Sequence, residues 1–422
     1  MSEYKNIVIV GASSAGQLLA NYLSPNLPTS HRIVLIDALD YAFWPIAALR
    51  AAVVPAGWEK KVTAPLTQDT VFPAGSIHRL IAPNKVVELK ENSVVLEKPF
   101  EGSNEVPFFK CILATGAQQP SPMRPAADST KQGWEDALVK TQNEIKQANK
   151  IVVVGGGAVG LEIAGEIRAA HPDKTITVVH SSEHVLNPTA DAPDPKGKTH
   201  SYSSPPTLPK LSITLEKVLK EMKIDVITSD KVIIPASQST PEEWSGAFGL
   251  QDGLKTVKLQ SGKTLEADYV FVSIGNKPNV SLVEKADKGA VISGLVDVDD
   301  YLRVISDTPN SPLSKNYYAI GDCSSTPGWK TCMGADYDAK GCAINIANEA
   351  KGKAPKKYVR PTLAAMMIPL GPEKGAGTLT FPVVGTWQVP GAMVKAAKGG
   401  KLLVEDLFYG RFKGSKKVAA DV

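Results

Sequence analysis

Residues 150–160 read Lys150-Ile151-Val152-Val153-Val154-Gly155-Gly156-Gly157-Ala158-Val159-Gly160, an unbroken β-branched run that stops on three glycines. Continuous apolar residues without alternation predict a strand buried on both faces, as parallel sheets require. The glycines match G-x-G-x-x-G in full. In that spacing the first glycine makes the tight turn, the second lets backbone approach a pyrophosphate, and the third lets the next helix pack close to the strand. The helix start then presents free N–H groups to the phosphates. Apolar residues at helical spacing over 161–170 and a strand over 175–179 complete the unit. At the position after that strand, where a carboxylate would hold an adenosine ribose, stands His180, followed by Ser181 and Ser182. No carboxylate repels a 2′-phosphate there and no arginine clamps one, so NADH and NADPH both stay open.

The same grammar opens the chain. A strand over 6–10 runs into Gly11-Ala12-Ser13-Ser14-Ala15-Gly16, a helix spans 15–23, and a second strand over 32–36 ends in Asp37. Ser13 replaces the middle glycine and is small enough to keep the approach open. Asp37 sits where a carboxylate can accept both ribose hydroxyls. The parallel extends further, because the turn Ala114-Thr115-Gly116 after a strand over 110–114 has its counterpart in Ser273-Ile274-Gly275. One such motif is a weak signal; two in tandem predict an α/β protein with two Rossmann-like dinucleotide-binding domains.

Outside these units a strand is expected at 93–96 and a helix at 133–147. Residues 187–210, rich in Pro, Ser, Asp and Lys, read as a surface loop. A short strand from 317 reaches Gly321-Asp322, and 334–349 carry a helical apolar pattern. Beyond a linker over 351–361, alternating runs such as 377–384 predict a small, mainly β, C-terminal domain.

At 422 residues the chain exceeds one ordinary core. With 47 Lys+Arg against 43 Asp+Glu the formal charge is only +4, which excludes the strong basic field of a dedicated nucleic-acid binder. The four cysteines, Cys111, Cys323, Cys332 and Cys342, have neither zinc-site nor C-x-x-C spacing. A reducing, cytoplasmic setting is expected, and no metal. The start runs directly into a strand, so no targeting segment is expected, and no apolar run approaches spanning length. Ser2 excludes N-myristoylation; any membrane or lipid-droplet contact is expected to be peripheral.

The order of the two glycine motifs, the two Gly-ended turns and Tyr318-Ala319-Ile320-Gly321-Asp322 resembles the two-dinucleotide-domain flavoprotein reductases. Ala47-Ala48-Leu49-Arg50-Ala51-Ala52, Gly160-Leu161-Glu162 and Gly321-Asp322-Cys323 are most similar to the apoptosis-inducing-factor-like, ferroptosis-suppressor family, relatives of type II NADH dehydrogenases. The resemblance covers residues 1 to about 350 and weakens beyond. It implies FAD in a discontinuous first domain (1–118 and 285–350), NADH or NADPH in a second (119–284), and a C-terminal domain over 351–422. It also implies that Asp322 binds the ribityl chain, that Arg50 contacts FAD phosphate or flavin, that His78 offers backbone groups to adenine, and that Glu162 and Lys330 flank the nicotinamide–isoalloxazine stack.

Residue chemistry bears on these roles. Arg50 stands in an apolar Ala-Leu-Ala run, where an unpaired guanidinium would be costly. Glu162 lies in the first turn of its helix, where the dipole alone also stabilises a carboxylate. Lys330 could neutralise charge at reduced flavin or hold a quinone oxygen, or be a surface lysine. Asp322 could equally cap the following helix. Phe43, Trp44 and Trp329 could line an acceptor pocket or fill core. Trp387, Phe408, Tyr409 and Phe412, with Lys413, Lys416 and Lys417, could touch a membrane or form a solvated basic tail.

The absence of a redox cysteine pair excludes an internal dithiol. The expected reaction is hydride transfer from nicotinamide C4 to flavin N5, then two-electron reduction of a quinone. Competing readings are a ferredoxin-type reductase serving an iron–sulfur protein and an NAD(H)-responsive signalling flavoprotein.

Overall fold

The computed structural model describes residues 4–126, 128–189, 206–236 and 240–419. Most of the surface loop expected at 187–210 lies outside the described residues.

The chain opens with β1 (Lys5–Val10) and helix α1 (Ser14–Leu23), then β2 (His31–Ile36), β3 (Arg79–Ile81) and β4 (Lys110–Leu113). All six residues of β2 and all four of β4 are buried, which explains why these segments read as continuous apolar runs rather than alternating ones. Helix α2 (Pro45–Ala51) lies between β2 and β3.

A second unit repeats the pattern with β5 (Lys150–Val154), helix α3 (Ala158–Ala170), β6 (Thr175–Val179), β7 (Asp225–Ile227), β8 (Gly249–Lys258) and β9 (Thr264–Val272). Its sheet order is β7-β6-β5-β9-β8, parallel except for β8, which runs antiparallel to β9. The chain then returns to the first sheet. β10 (Tyr317–Ala319) adds to β4 in parallel register, Tyr318 opposite Ile112, giving the all-parallel order β10-β4-β1-β2-β3. Each glycine motif therefore follows the central strand of its sheet. This doubly wound arrangement leaves ligand space beyond the C-terminal ends of the strands.

Two short segments connect the units. Ala117–Gln118, leaving the first sheet, pairs antiparallel with Lys277–Pro278, coming back from the second.

Helix α4 (Cys332–Ala350) packs along α1, with Ala339, Cys342 and Ile346 fully buried. An antiparallel sheet of β11 (Ala364–Leu370), β12 (Lys374–Phe381) and β13 (Gly385–Val389) then docks on α3. The approach is close: a Cβ added to Gly165 would lie 2.4 Å from Leu370 Cα. The C-terminal segment differs from the expected solvated tail. Phe408 is fully buried, stacked on Trp44 at 5.8 Å, and Tyr409 donates a hydrogen bond to the Lys61 carbonyl. Burial of apolar rings against the first unit outweighs the pull of the flanking lysines toward water. Trp387 remains well exposed.

Candidate active site

Both glycine loops adopt one geometry. Gly11 and Gly155 each take φ of 106°, a conformation that a side chain would strain. A Cβ at Gly16 would lie 1.8 Å from the Gly11 carbonyl oxygen, and one at Gly160 would lie 1.9 Å from that of Gly155. These contacts force helix against strand. At Gly157 a Cβ would meet nothing within 4 Å, so backbone faces open space where a pyrophosphate would approach. Ser13 and Gly157 are the N-caps of α1 and α3, and neither helix start carries a side-chain cap. Uncapped N–H groups at the positive end of a helix suit an anion. Both loops thus fit dinucleotide phosphates.

Asp37 ends β2 beside the first loop. Its Oδ2 accepts from Ala12 N–H at 2.5 Å and its Oδ1 from Leu39 N–H. Burial pushes its carboxyl above the ordinary range, against the pull of these backbone donors. At the matching place in the second unit, His180 Nδ1 accepts from Gly156 N–H at 3.2 Å, while Nε2 is buried with no partner. The accepted bond puts the proton on Nε2, and burial lowers the imidazole pKa.

The turns after β4 and β9, each beside the central strand of its sheet, close the cradles from the other side. Thr115 donates to the Asn279 carbonyl at 2.8 Å, and Asn279 returns a bond to the Thr115 carbonyl. Gly116 and Gly275 both have positive φ. Ser273 Oγ donates to the carbonyls of Val154 and Gly155, bracing the second loop.

Gly321-Asp322 comes to the first cradle: a Cβ at Gly321 would lie 3.1 Å from Ala15 Cβ. Asp322 does not cap α4, because Thr331 does so by accepting from Gly334 N–H. Asp322 instead pairs with Arg124 at 3.1 Å, and Arg124 also donates to the Ala117 carbonyl.

Glu162 is buried in the first turns of α3, and its partner is Lys398, at 2.7 Å. Burial raises the Glu162 pKa while Lys398 pulls it back. Lys330, expected with Glu162 to flank the nicotinamide–isoalloxazine stack, donates to the carbonyls of Ser324 and Thr326, both at 2.7 Å. Desolvation pushes its ammonium down to about 8. Arg50 is 4% exposed. Its Nε and Nη2 form a forked pair with Glu166 at 2.9 and 2.7 Å, its Nη1 donates to the Gly400 carbonyl, and Trp58 lies under the guanidinium. His78 spends its backbone groups within the protein: Ser76 Oγ accepts from its N–H, and Gln68 and Arg79 donate to its carbonyl. Its ring ties Ile33 to Ser24.

Trp44 is core, with its indole N–H on the Leu402 carbonyl. Phe43 packs edge-on against Trp134. Trp329 does line a cavity, together with Met333, Leu363, Ala364 and Met366, beside the N-terminus of α4. The cysteines are all free, and Cys111, Cys323 and Cys342 are buried.

Sequence reading missed Lys398, Arg124, Glu166 and Arg411. Lys398 and Arg411 lie hundreds of residues from their partners, and no short-range spacing marks them. Arg124 alone had a signal, as a charge in the Pro-flanked stretch that follows Thr115-Gly116.

Residues 5–195 and 199–339 match the family model described as pyridine nucleotide-disulphide oxidoreductase. Ferroptosis suppressor protein 1 of Mus musculus is 28% identical over 94% of each chain, and apoptosis-inducing factor homolog B of Dictyostelium discoideum is 25% identical over 89% of each. A ferredoxin reductase from Rhodopseudomonas palustris superposes with a TM-score of 0.63 at 18% identity, over 90% of this chain and 83% of that one.

Proposed function

The chain belongs to the pyridine nucleotide-disulphide oxidoreductase family, and from that premise we propose that it is an NAD(P)H:quinone oxidoreductase. Its cofactors are FAD and NAD(P)H. In this reading residues 1–118 with 285–350 hold FAD, 119–284 hold the nicotinamide nucleotide, and 351–422 cover the junction. When bound, FAD supplies the relay, taking a hydride from the nicotinamide and delivering two electrons to the acceptor.

The chain's own contribution is alignment and charge. α1 and α3 direct their uncapped N-termini at the two pyrophosphates, and Asp37 holds the adenosine ribose of FAD. Asp322, oriented by Arg124, binds the ribityl hydroxyls. The Glu162–Lys398 pair sets a compensated charge at the nicotinamide end of the second cradle. Lys330, with two donors held by carbonyls, offers its remaining proton to an acceptor oxygen.

A single observation carries the choice of acceptor. The apolar cavity of Trp329, Met333, Leu363 and Met366 opens beside the α4 N-terminus, close to Asp322 in the chain, and no cysteine pair competes with it for electrons. Relatives of similar length bear the name ferroptosis suppressor protein 1, in keeping with the resemblance on which the quinone expectation rested.

The test is anaerobic titration of the purified yellow protein with NADH and NADPH, followed by ubiquinone analogues, a ferredoxin and oxygen in turn. Rapid reoxidation by the quinone is expected. Reoxidation by the ferredoxin alone would replace this reading with the iron–sulfur one.

A further inference from the structure

Arg411 takes no part in the scheme above, yet its surroundings are unusual for an arginine. It is 3% exposed. Its guanidinium lies against the stacked pair of Trp44 and Phe408, 4.8 and 5.0 Å from the ring centres. Nε donates to the Phe408 carbonyl at 3.2 Å and Nη1 to Ser14 Oγ at 3.0 Å, while Nη2 is buried with no hydrogen-bond partner. The titratable neighbour that bears on it is the Cys332 thiol rather than a carboxylate. Desolvation pulls its pKa down to about 9. A buried cation without a counter-ion is expensive.

Its position supplies the missing anion. Ser14 is the first residue of α1, whose N-terminal N–H groups lack a side-chain cap. Two positive features, an uncapped helix start and an uncompensated guanidinium, are therefore held together by one hydrogen bond. They repel unless an anion lies against both. The geometry points to Arg411 as a binding residue for the diphosphate of FAD, brought to the first cradle by the C-terminal segment. This rests on the reading that the first cradle holds FAD. Arginine suits the task because its planar fork can keep Nη1 on Ser14 and turn Nη2 to a phosphate oxygen.

The segment is anchored there by its backbone as well, since Asn21 donates to the Arg411 carbonyl at 2.7 Å. Cofactor binding and docking of the C-terminal segment are thereby linked, and linkage is reciprocal.

Two measurements test this. In the first, wild-type protein is digested with a limiting protease with and without added FAD, and fragments are identified by mass. FAD should slow cleavage within residues 391–422. In the second, flavin release from wild-type, Arg411→Gln and Arg411→Lys holoproteins is followed by fluorescence across a salt series. Arg411→Gln should weaken FAD retention by about tenfold or more, the scale of a charged hydrogen bond, and Arg411→Lys should fall between. If the wild-type protein takes up no FAD, the proposed function itself fails. If it takes up FAD, but FAD leaves the C-terminal cleavage rate unchanged or Arg411→Gln holds flavin as tightly as wild type at every salt concentration, the function stands and the role of Arg411 is overturned.

Discussion

Lys398 Nζ lies 2.7 Å from Glu162 Oε1, so a side chain from the C-terminal segment ends on the helix that begins the second nucleotide cradle. Each is mostly shielded from water, at 16% and 9% side-chain exposure. Removing one partner of such a pair strands the other. Lys398→Met should cost roughly 3 kcal/mol in urea unfolding, and Glu162→Gln with Lys398→Met together should recover part of it. Stopped-flow flavin reduction by NAD(P)H should slow in Glu162→Gln with FAD still bound. An unchanged rate would remove Glu162 from the site.

Arg50 and Glu166 form the other buried ion pair across these elements, at 4% and 3% side-chain exposure. Arg50→Met should destabilise the protein by roughly 3–5 kcal/mol, because Glu166 would be left buried and uncompensated. Pairing it with Glu166→Leu should restore most of the loss in denaturant unfolding. If Arg50 also touches FAD, the double variant will regain stability and still hold flavin less tightly.

Lys330 titrates at about 8 in the folded chain, below its ordinary 10.5. Between those values the unfolded chain retains a proton that the folded one has lost. The stability this group contributes is thus full above 10.5 and is lost as pH falls toward 8, with no further change below. Wild-type unfolding free energy should carry that component of slope between pH 8 and 10, and Lys330→Met should remove it. Quinone reduction should also decline above about pH 8, where the ammonium loses the proton left over from the Ser324 and Thr326 carbonyls.

Burial lowers the His180 pKa, and its Nδ1 accepts from Gly156 N–H in the second glycine loop. His180→Asp should place a carboxylate at the ribose position and lower kcat/KM for NADPH relative to NADH by about tenfold, through repulsion of the 2′-phosphate. Equal kinetics with the two nucleotides in that variant would put the ribose elsewhere.

Gly165 leaves no room for a side chain, since its Cβ would fall 2.4 Å from Leu370 Cα. Gly165→Ala must push β11 off α3 and should cost more than about 2 kcal/mol, read as a lowered melting temperature with faster proteolysis between 351 and 422.

Much of this architecture could be read locally. The strand at 175–179 falls where the apolar run placed it, and the helices at 14–23 and 158–170 begin at the glycine motifs, because turn chemistry and burial on both sheet faces are written in adjacent residues. Arg50 was correctly expected to need a partner, but Glu166 could not be named: one turn of α3 beyond Glu162 is a position that only tertiary packing selects. Lys330 was expected with Glu162 to flank the nicotinamide–isoalloxazine stack; its bonds to carbonyls six and four residues upstream, and the arrival of Lys398 at the Glu162 carboxylate, are set by folding that no local spacing records. Phe408 and Tyr409 looked like tail residues because nothing in their neighbourhood reveals the Trp44 ring and the Lys61 carbonyl that receive them.

The paired segments Ala117–Gln118 and Lys277–Pro278 have a mechanical meaning. Outgoing and returning chain cross side by side, so a rotation of one nucleotide unit against the other must twist this narrow ribbon. The Lys398 and Gly400 contacts to Glu162 and Arg50 act as a latch at a second point. Any rotation of one unit against the other would have to break these contacts and the Arg50–Glu166 pair as well as twist the ribbon.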